Sequence, residues 1–108
     1  MRSIASLISA VTLVAASSAL LVGCVTYIPV DEYTIARASY DAAKDADAAR
    51  FAPALWFDAE LDYRDAQKLF KERHYDESRD KFVQAKTLAE QAENVSRLAR
   101  HQSGEIIP

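Results

Sequence analysis

Hydrophobic and polar positions divide the chain into two regimes. From Ile4 to Val22 every residue is apolar or small and none is charged. Beyond Cys24 the apolar residues recur at spacings of three and four, the period of an amphipathic helix. A first helix is predicted from about Glu32 to Arg50, with Asp31 as its N-cap. It turns Ile35, Ala36, Tyr40, Ala43 and Ala46 inward and Asp41, Lys44, Asp45 and Asp47 outward. Pro53 interrupts the pattern and suits the first position of a second helix, from Pro53 to Glu72. Its stripe is Leu55, Ala59, Tyr63, Ala66, Leu69 and Phe70, while Trp56, Phe57 and Leu61 fall off that stripe. Arg73-His74-Tyr75 is the expected tight turn. A third helix from Asp76 to Arg100 follows, with Tyr75, Ser78, Phe82, Ala85, Ala89, Ala92 and Val95 at nearly heptad spacing. It is longer than its partner, so its last two turns are expected to project. The prediction is an all-α, three-helix module over residues 32–101: a short first helix and a long antiparallel hairpin. Residues 102–108 form a flexible tail.

Composition supports this reading. Two glycines and three prolines leave few turns, and the abundant alanine favours helix because it loses no side-chain entropy there. Removing Arg2 with the apolar leader leaves 12 basic against 16 acidic residues, a net charge near −4. That balance argues against nucleic acid as a partner, since such binding rests on neutralising phosphates. The single cysteine forms no internal disulfide.

That cysteine changes the picture of the leader. Met1-Arg2 supplies a minimal positive start, the apolar run follows, and Leu21-Val22-Gly23-Cys24 closes it. This is the pattern of a secretory signal. An uncleaved membrane span is the alternative, because the run approaches the ~20 residues that cross a bilayer. The five serines scattered through residues 3–18 favour a cleaved signal. Leu-Val-Gly-Cys resembles the lipobox of bacterial lipoproteins. The resemblance implies cleavage after Gly23, lipid on the Cys24 sulfur, and a cleaved signal peptide over residues 1–23. Residues 24–31 then form the lipidated cysteine and a short tether. Residue 25 is Val and not Asp, which in the enteric-type sorting rule implies the outer membrane, facing the periplasm.

Two further resemblances concern the helices. Ala66, Tyr75, Phe82 and Ala85 sit at hallmark spacings of one tetratricopeptide repeat, with Ser78 where alanine is usual. Arg73 stands where that family prefers glycine, and Glu90 where a proline would end the repeat. No period recurs elsewhere, so the chain is not a solenoid. From about residue 33 to 99 the order of parts resembles the small alanine-rich helical lipoproteins classed as domain of unknown function 4398. Those parts are the lipobox, Ala36-Arg37-Ala38, Ala52-Pro53, the turn before Tyr75, and the steps Ala85, Ala89 and Ala92. This implies a cell-envelope location and a helical fold, with no known activity.

Candidate chemistry is sparse. Asp58, Glu60, Asp62 and Asp65 are dense, and Asp58 and Asp62 share a face. General acid–base work needs a buried pair with separated pKa values, whereas Arg64 and Lys68 here offer surface pairing. His74 and His101 are far apart and lack metal-ligand spacing. No nucleophile has a partnered base and no glycine-rich phosphate loop is possible. No cofactor, metal or small-molecule substrate is expected. Aromatic residues are the best binding material, though they also dominate small cores. Trp56, Phe57 and Leu61 either cover the first helix or form an exposed patch for a partner. The sequence thus suggests a membrane-anchored, non-catalytic helical adaptor or scaffold for an envelope protein, or alternatively a self-associating spacer built on the heptad stripe.

Overall fold

A computed structural model describes residues 26–104, and no strand occurs among them. The leader expected over residues 1–23, the Gly23–Cys24 site and the last four residues of the tail lie outside the described residues. The helices are α1 (Val30–Asp45), α2 (Ala48–Phe51), α3 (Pro53–Lys71) and α4 (Tyr75–Gln102). Helices α1, α3 and α4 form the expected three-helix module. The short α2 sits between the first two.

Helix α1 begins two residues earlier than expected. The Pro29 carbonyl accepts the Tyr33 N–H at 3.1 Å, so Pro29 and not Asp31 marks the entry. The Pro29 side chain is fully buried, which fixes this start by packing. Asp31 and Glu32 instead lie in the first turn, where their charge complements the positive end of the helix dipole. Glu32 also accepts the Tyr27 hydroxyl, at 3.0 and 3.1 Å to its two oxygens.

The predicted single helix to Arg50 is broken at Asp47, which adopts a left-handed φ of 61°. The reason is the burial pattern. Ala46 and Ala48 are both buried, at 1% and 0% exposure. Two residues apart on a continuous helix, they would point about 200° from one another, and one would face water. The turn at Asp47 lets both enter the core. The Asp47 carbonyl then accepts the N–H groups of Arg50 and Phe51 and starts α2.

Pro53 opens α3 as predicted. The α3–α4 turn is built by local hydrogen bonds: the His74 N–H donates to Leu69 at 2.9 Å and the Arg73 N–H to Phe70 at 3.1 Å. This closure places Arg73 in the left-handed region, at φ 63°. Its position is therefore one where glycine costs least, in keeping with the glycine preference of the repeat it resembles.

Helix α4 is the hub, packing against both α1 and α3 more extensively than those two pack on each other. Its buried seam is Ser78, Phe82, Ala85, Ala89, Ala92 and Ser96, alternating steps of four and three. The expected Val95 is 43% exposed, because the register selects its polar neighbour Ser96. Ser96 satisfies its hydroxyl on the Ala92 carbonyl at 2.6 Å. Ser78 reaches across to the Ala66 carbonyl of α3 at 2.9 Å. Burial of Ser96, half-burial of Ala99 and packing of α2 on α4 cover part of the end that was expected to project.

Two packed clusters result. At one end Ala43, Ala48, Ala52, Ala59, Ala89 and Ala92 meet with Leu55, Trp56 and Leu88. At the other, Ala36, Tyr63, Ala66, Phe82 and Ala85 meet with Tyr33, Tyr40 and Phe70. Ile35, expected inward on α1, is half exposed. Tyr33 and Ser39 take the inward positions instead.

Candidate functional site

The three residues singled out on α3 part company. Trp56 turns toward α1 and stacks on Tyr40, with ring centroids 4.8 Å apart and planes at 27°. Tyr40 in turn stacks on Tyr63 at 4.7 Å and 13°. The aromatic contacts continue through Tyr33, Phe82 and Phe70 to Tyr75. Trp56 therefore belongs to the aromatic packing between α1 and α3 and is no free binding residue. Of the two roles open to it from the sequence, Trp56 takes the one of covering the first helix, because α3 packs against two neighbours.

Phe57 and Leu61 face the other way. They are 63% and 49% exposed, one turn apart on the face of α3 opposite the buried Ala59, Tyr63 and Ala66. The exposed Asp58, Arg64, Asp65 and Lys68 surround them in the helical projection. Together they form a small apolar pair within a charged surface.

Two of the four acidic residues of α3 form ion pairs. Glu60 accepts from Arg64, one helical turn on, at 2.8 Å. Asp62 pairs with Lys81 across the hairpin at 3.2 Å, a partner four-residue spacing could not reveal. Asp58 and Asp65 are exposed. Among the described residues no group of three or more His, Cys, Asp or Glu is placed to hold a metal ion. His74 is exposed in the turn, where its carbonyl accepts the Ser78 N–H at 2.9 Å, and His101 is exposed near the end of α4.

The perturbed groups are phenols. Burial, reinforced by Tyr33, pushes Tyr63 up from 10.0 to about 12. Burial, followed by the Glu60 carboxylate, also raises Tyr40. Both stay protonated at neutral pH, and their rings take part in the aromatic packing between α1 and α3. Outside this core, a hollow of about 460 Å³ is lined by Thr26, Tyr27 and residues 73–77. A more apolar hollow of about 380 Å³ lies on the outer face of α4 beside Asp62, lined by Val83, Gln84, Thr87, Leu88 and Gln91. No described helix is long and apolar enough to cross a membrane.

Comparison with curated proteins and with solved structures returns no match. The family whose description is Domain of unknown function (DUF4398) matches residues 31–105, from the start of α1 to just beyond α4. The match takes in all four helices, both packed clusters and the Phe57–Leu61 face, and the chain belongs to that family.

Proposed function

We propose that this chain is a lipid-anchored protein of the bacterial cell envelope that works as a non-catalytic helical adaptor. The anchor is read from Leu21-Val22-Gly23-Cys24, whose sulfur would take the lipid after cleavage at Gly23. The outer membrane, facing the periplasm, is the proposed location, from Val25 after the cysteine. The observation that carries the adaptor reading is the outward pair Phe57 and Leu61. Their neighbours Trp56 and Tyr40 are consumed by packing, which leaves these two as the large apolar side chains that α3 exposes. An apolar pair ringed by charge suits the edge of a partner protein, with the aromatic ring as anchor.

The alternative, a self-associating spacer, drew on the heptad stripe of α4. That stripe is covered by α1 and α3, so self-association would have to use the outer face, where Val83, Val95 and Leu98 are exposed. A photo-crosslinking residue at position 57, in intact cells, separates these readings. The adaptor predicts one dominant envelope-protein adduct. Leu61→Ala should reduce it by about tenfold or more, as truncation beside an interface anchor does. Helicity and melting temperature should not change, since both side chains are exposed. Adducts between copies alone would favour the spacer. No adduct at all would remove the adaptor reading of this face.

A further inference from the structure

The residues nearest the proposed lipid are docked. Pro29 is fully buried, the Val30 N–H donates to Ile28 at 2.8 Å, and the Tyr27 hydroxyl is held by Glu32. Thr26 and Tyr27 border the same hollow as Arg73, His74 and Tyr75, so the chain enters the bundle beside the α3–α4 turn. Cys24 precedes Thr26 by two residues, a reach of roughly 7 Å at full extension. Of the short tether expected over residues 24–31, the part from Tyr27 onward is thus docked on the bundle. The same end exposes a run of apolar side chains, Tyr27 and Ile28 at 48% each and Val30 at 55%.

We propose that the α3–α4 turn end of the bundle lies against the bilayer surface, with Tyr27 and Ile28 at the headgroup boundary, and that α2 marks the membrane-distal end. The occupant of this surface is lipid, because a covalent lipid two residues away leaves no room for the domain to move off. Aromatic and aliphatic side chains suit the interfacial layer. Charge does not supply the contact: Lys71 and Arg73 at this end are outnumbered by Asp31, Glu32, Glu72, Asp76 and Glu77. Lipid gives the affinity and the short docked segment gives the orientation. Phe57 and Leu61 then stand clear of the headgroups, on the distal half of α3, turned sideways to a partner.

This rests on the reading of Cys24 as lipidated, and the test separates the two. The full-length lipoprotein is prepared from membranes, and Cys24 acylation is measured by mass on the N-terminal peptide. A donor dye is placed on Glu77→Cys or on Ala49→Cys, both exposed and at opposite ends, and the protein is incorporated into phosphatidylethanolamine–phosphatidylglycerol vesicles carrying a headgroup acceptor. The ends are separated by roughly 28 Å, the length of α3, so transfer from position 77 should exceed transfer from position 49 by about twofold or more. Twelve Gly/Ser residues inserted between Val25 and Thr26 should abolish the difference. Acylated protein with equal transfer from both ends overturns the orientation alone, and survival of the difference after insertion overturns the role of the tether. An unmodified Cys24 overturns the anchor and the orientation together.

Discussion

The two ends of this bundle solve one packing problem with opposite materials. Near α2 the core is alanine on alanine: Ala43, Ala48, Ala52, Ala59, Ala89 and Ala92. Near the α3–α4 turn it is aromatic, with Phe82 at 0% exposure among Tyr33, Tyr63 and Phe70. The same seam of α4 serves both, since its alternating steps continue unbroken from Ser78 to Ser96. Helix spacing follows side-chain size, so alanine stabilises through close approach of backbones and the aromatics through buried ring area. A small domain gains more apolar burial from the second material. The aromatic end should therefore carry most of the stability, and the alanine end should set the geometry.

The largest test attacks both ends by size. Phe82→Ala leaves a ring-sized void among Tyr33, Tyr63 and Phe70 and should cost about 3–5 kcal/mol. Ala89→Leu forces three extra carbon atoms into the close-packed alanine cluster beside Leu55, Trp56 and Leu88, and should cost about 1–3 kcal/mol through overpacking. Urea unfolding followed by circular dichroism reads both. An equal cost for Phe82→Ala and Ala89→Leu would erase the distinction between the two ends.

The contrast also explains what was legible in the sequence. The stripes of α3 and α4 were readable because large residues mark them: Leu55, Tyr63, Phe70 and Phe82. In the alanine-rich part of the chain, alanine loses no entropy in a helix and leaves little hydrophobic contrast between faces. A continuous helix to Arg50 therefore read as well as the observed break. Only the joint burial of Ala46 and Ala48, a tertiary fact, decides for the break at Asp47. Val95 misled for the converse reason, since hydrophobicity outweighed register and Ser96 was the seam residue. Of the candidate site, the exposed pair was named but not separated from Trp56, because spacing on one helix does not say how many helices it touches.

Alkaline pH should sharpen the comparison, because only one end titrates. The alanine end is lined by Ala, Leu and Trp, whereas the aromatic end holds Tyr63, raised to about 12. Its folded pKa lies above its unfolded value of about 10, so folding favours the protonated phenol. The resulting stabilisation is fully present below pH 10 and is lost as pH rises through 12, by on the order of 2 kcal/mol. Tyrosinate absorbance and unfolding free energy measured from pH 9 to 12 should show the loss. Tyr63→Phe should reduce it, with Tyr40, also raised by burial, keeping the remainder. An unchanged slope in that variant would place the alkaline sensitivity elsewhere.

The smallest effect concerns the turns that close each end, both with a left-handed residue that is not glycine: Asp47 at φ 61° and Arg73 at φ 63°. A side chain in this region costs about 1–2 kcal/mol, less for Asp, whose short polar group tolerates it. Glycine removes that strain but loses about 0.5–1 kcal/mol through its freer unfolded chain. The balance for Arg73→Gly is a gain of about 0.5–1 kcal/mol, a rise of a few degrees in melting temperature. Arg73 is exposed, so the substitution removes little packing in exchange. For Asp47→Gly the two effects nearly cancel, and the change should be close to zero. The paired melts therefore compare backbone strain at the two ends, with the exposed Asp47–Arg50 contact at 4.0 Å as a small further loss at position 47. A gain at position 47 equal to that at 73 would mean that Asp is as strained there as Arg. A loss at 73 would mean that the Arg73 side chain contributes at the turn, beside the hollow it lines with Tyr27 and His74.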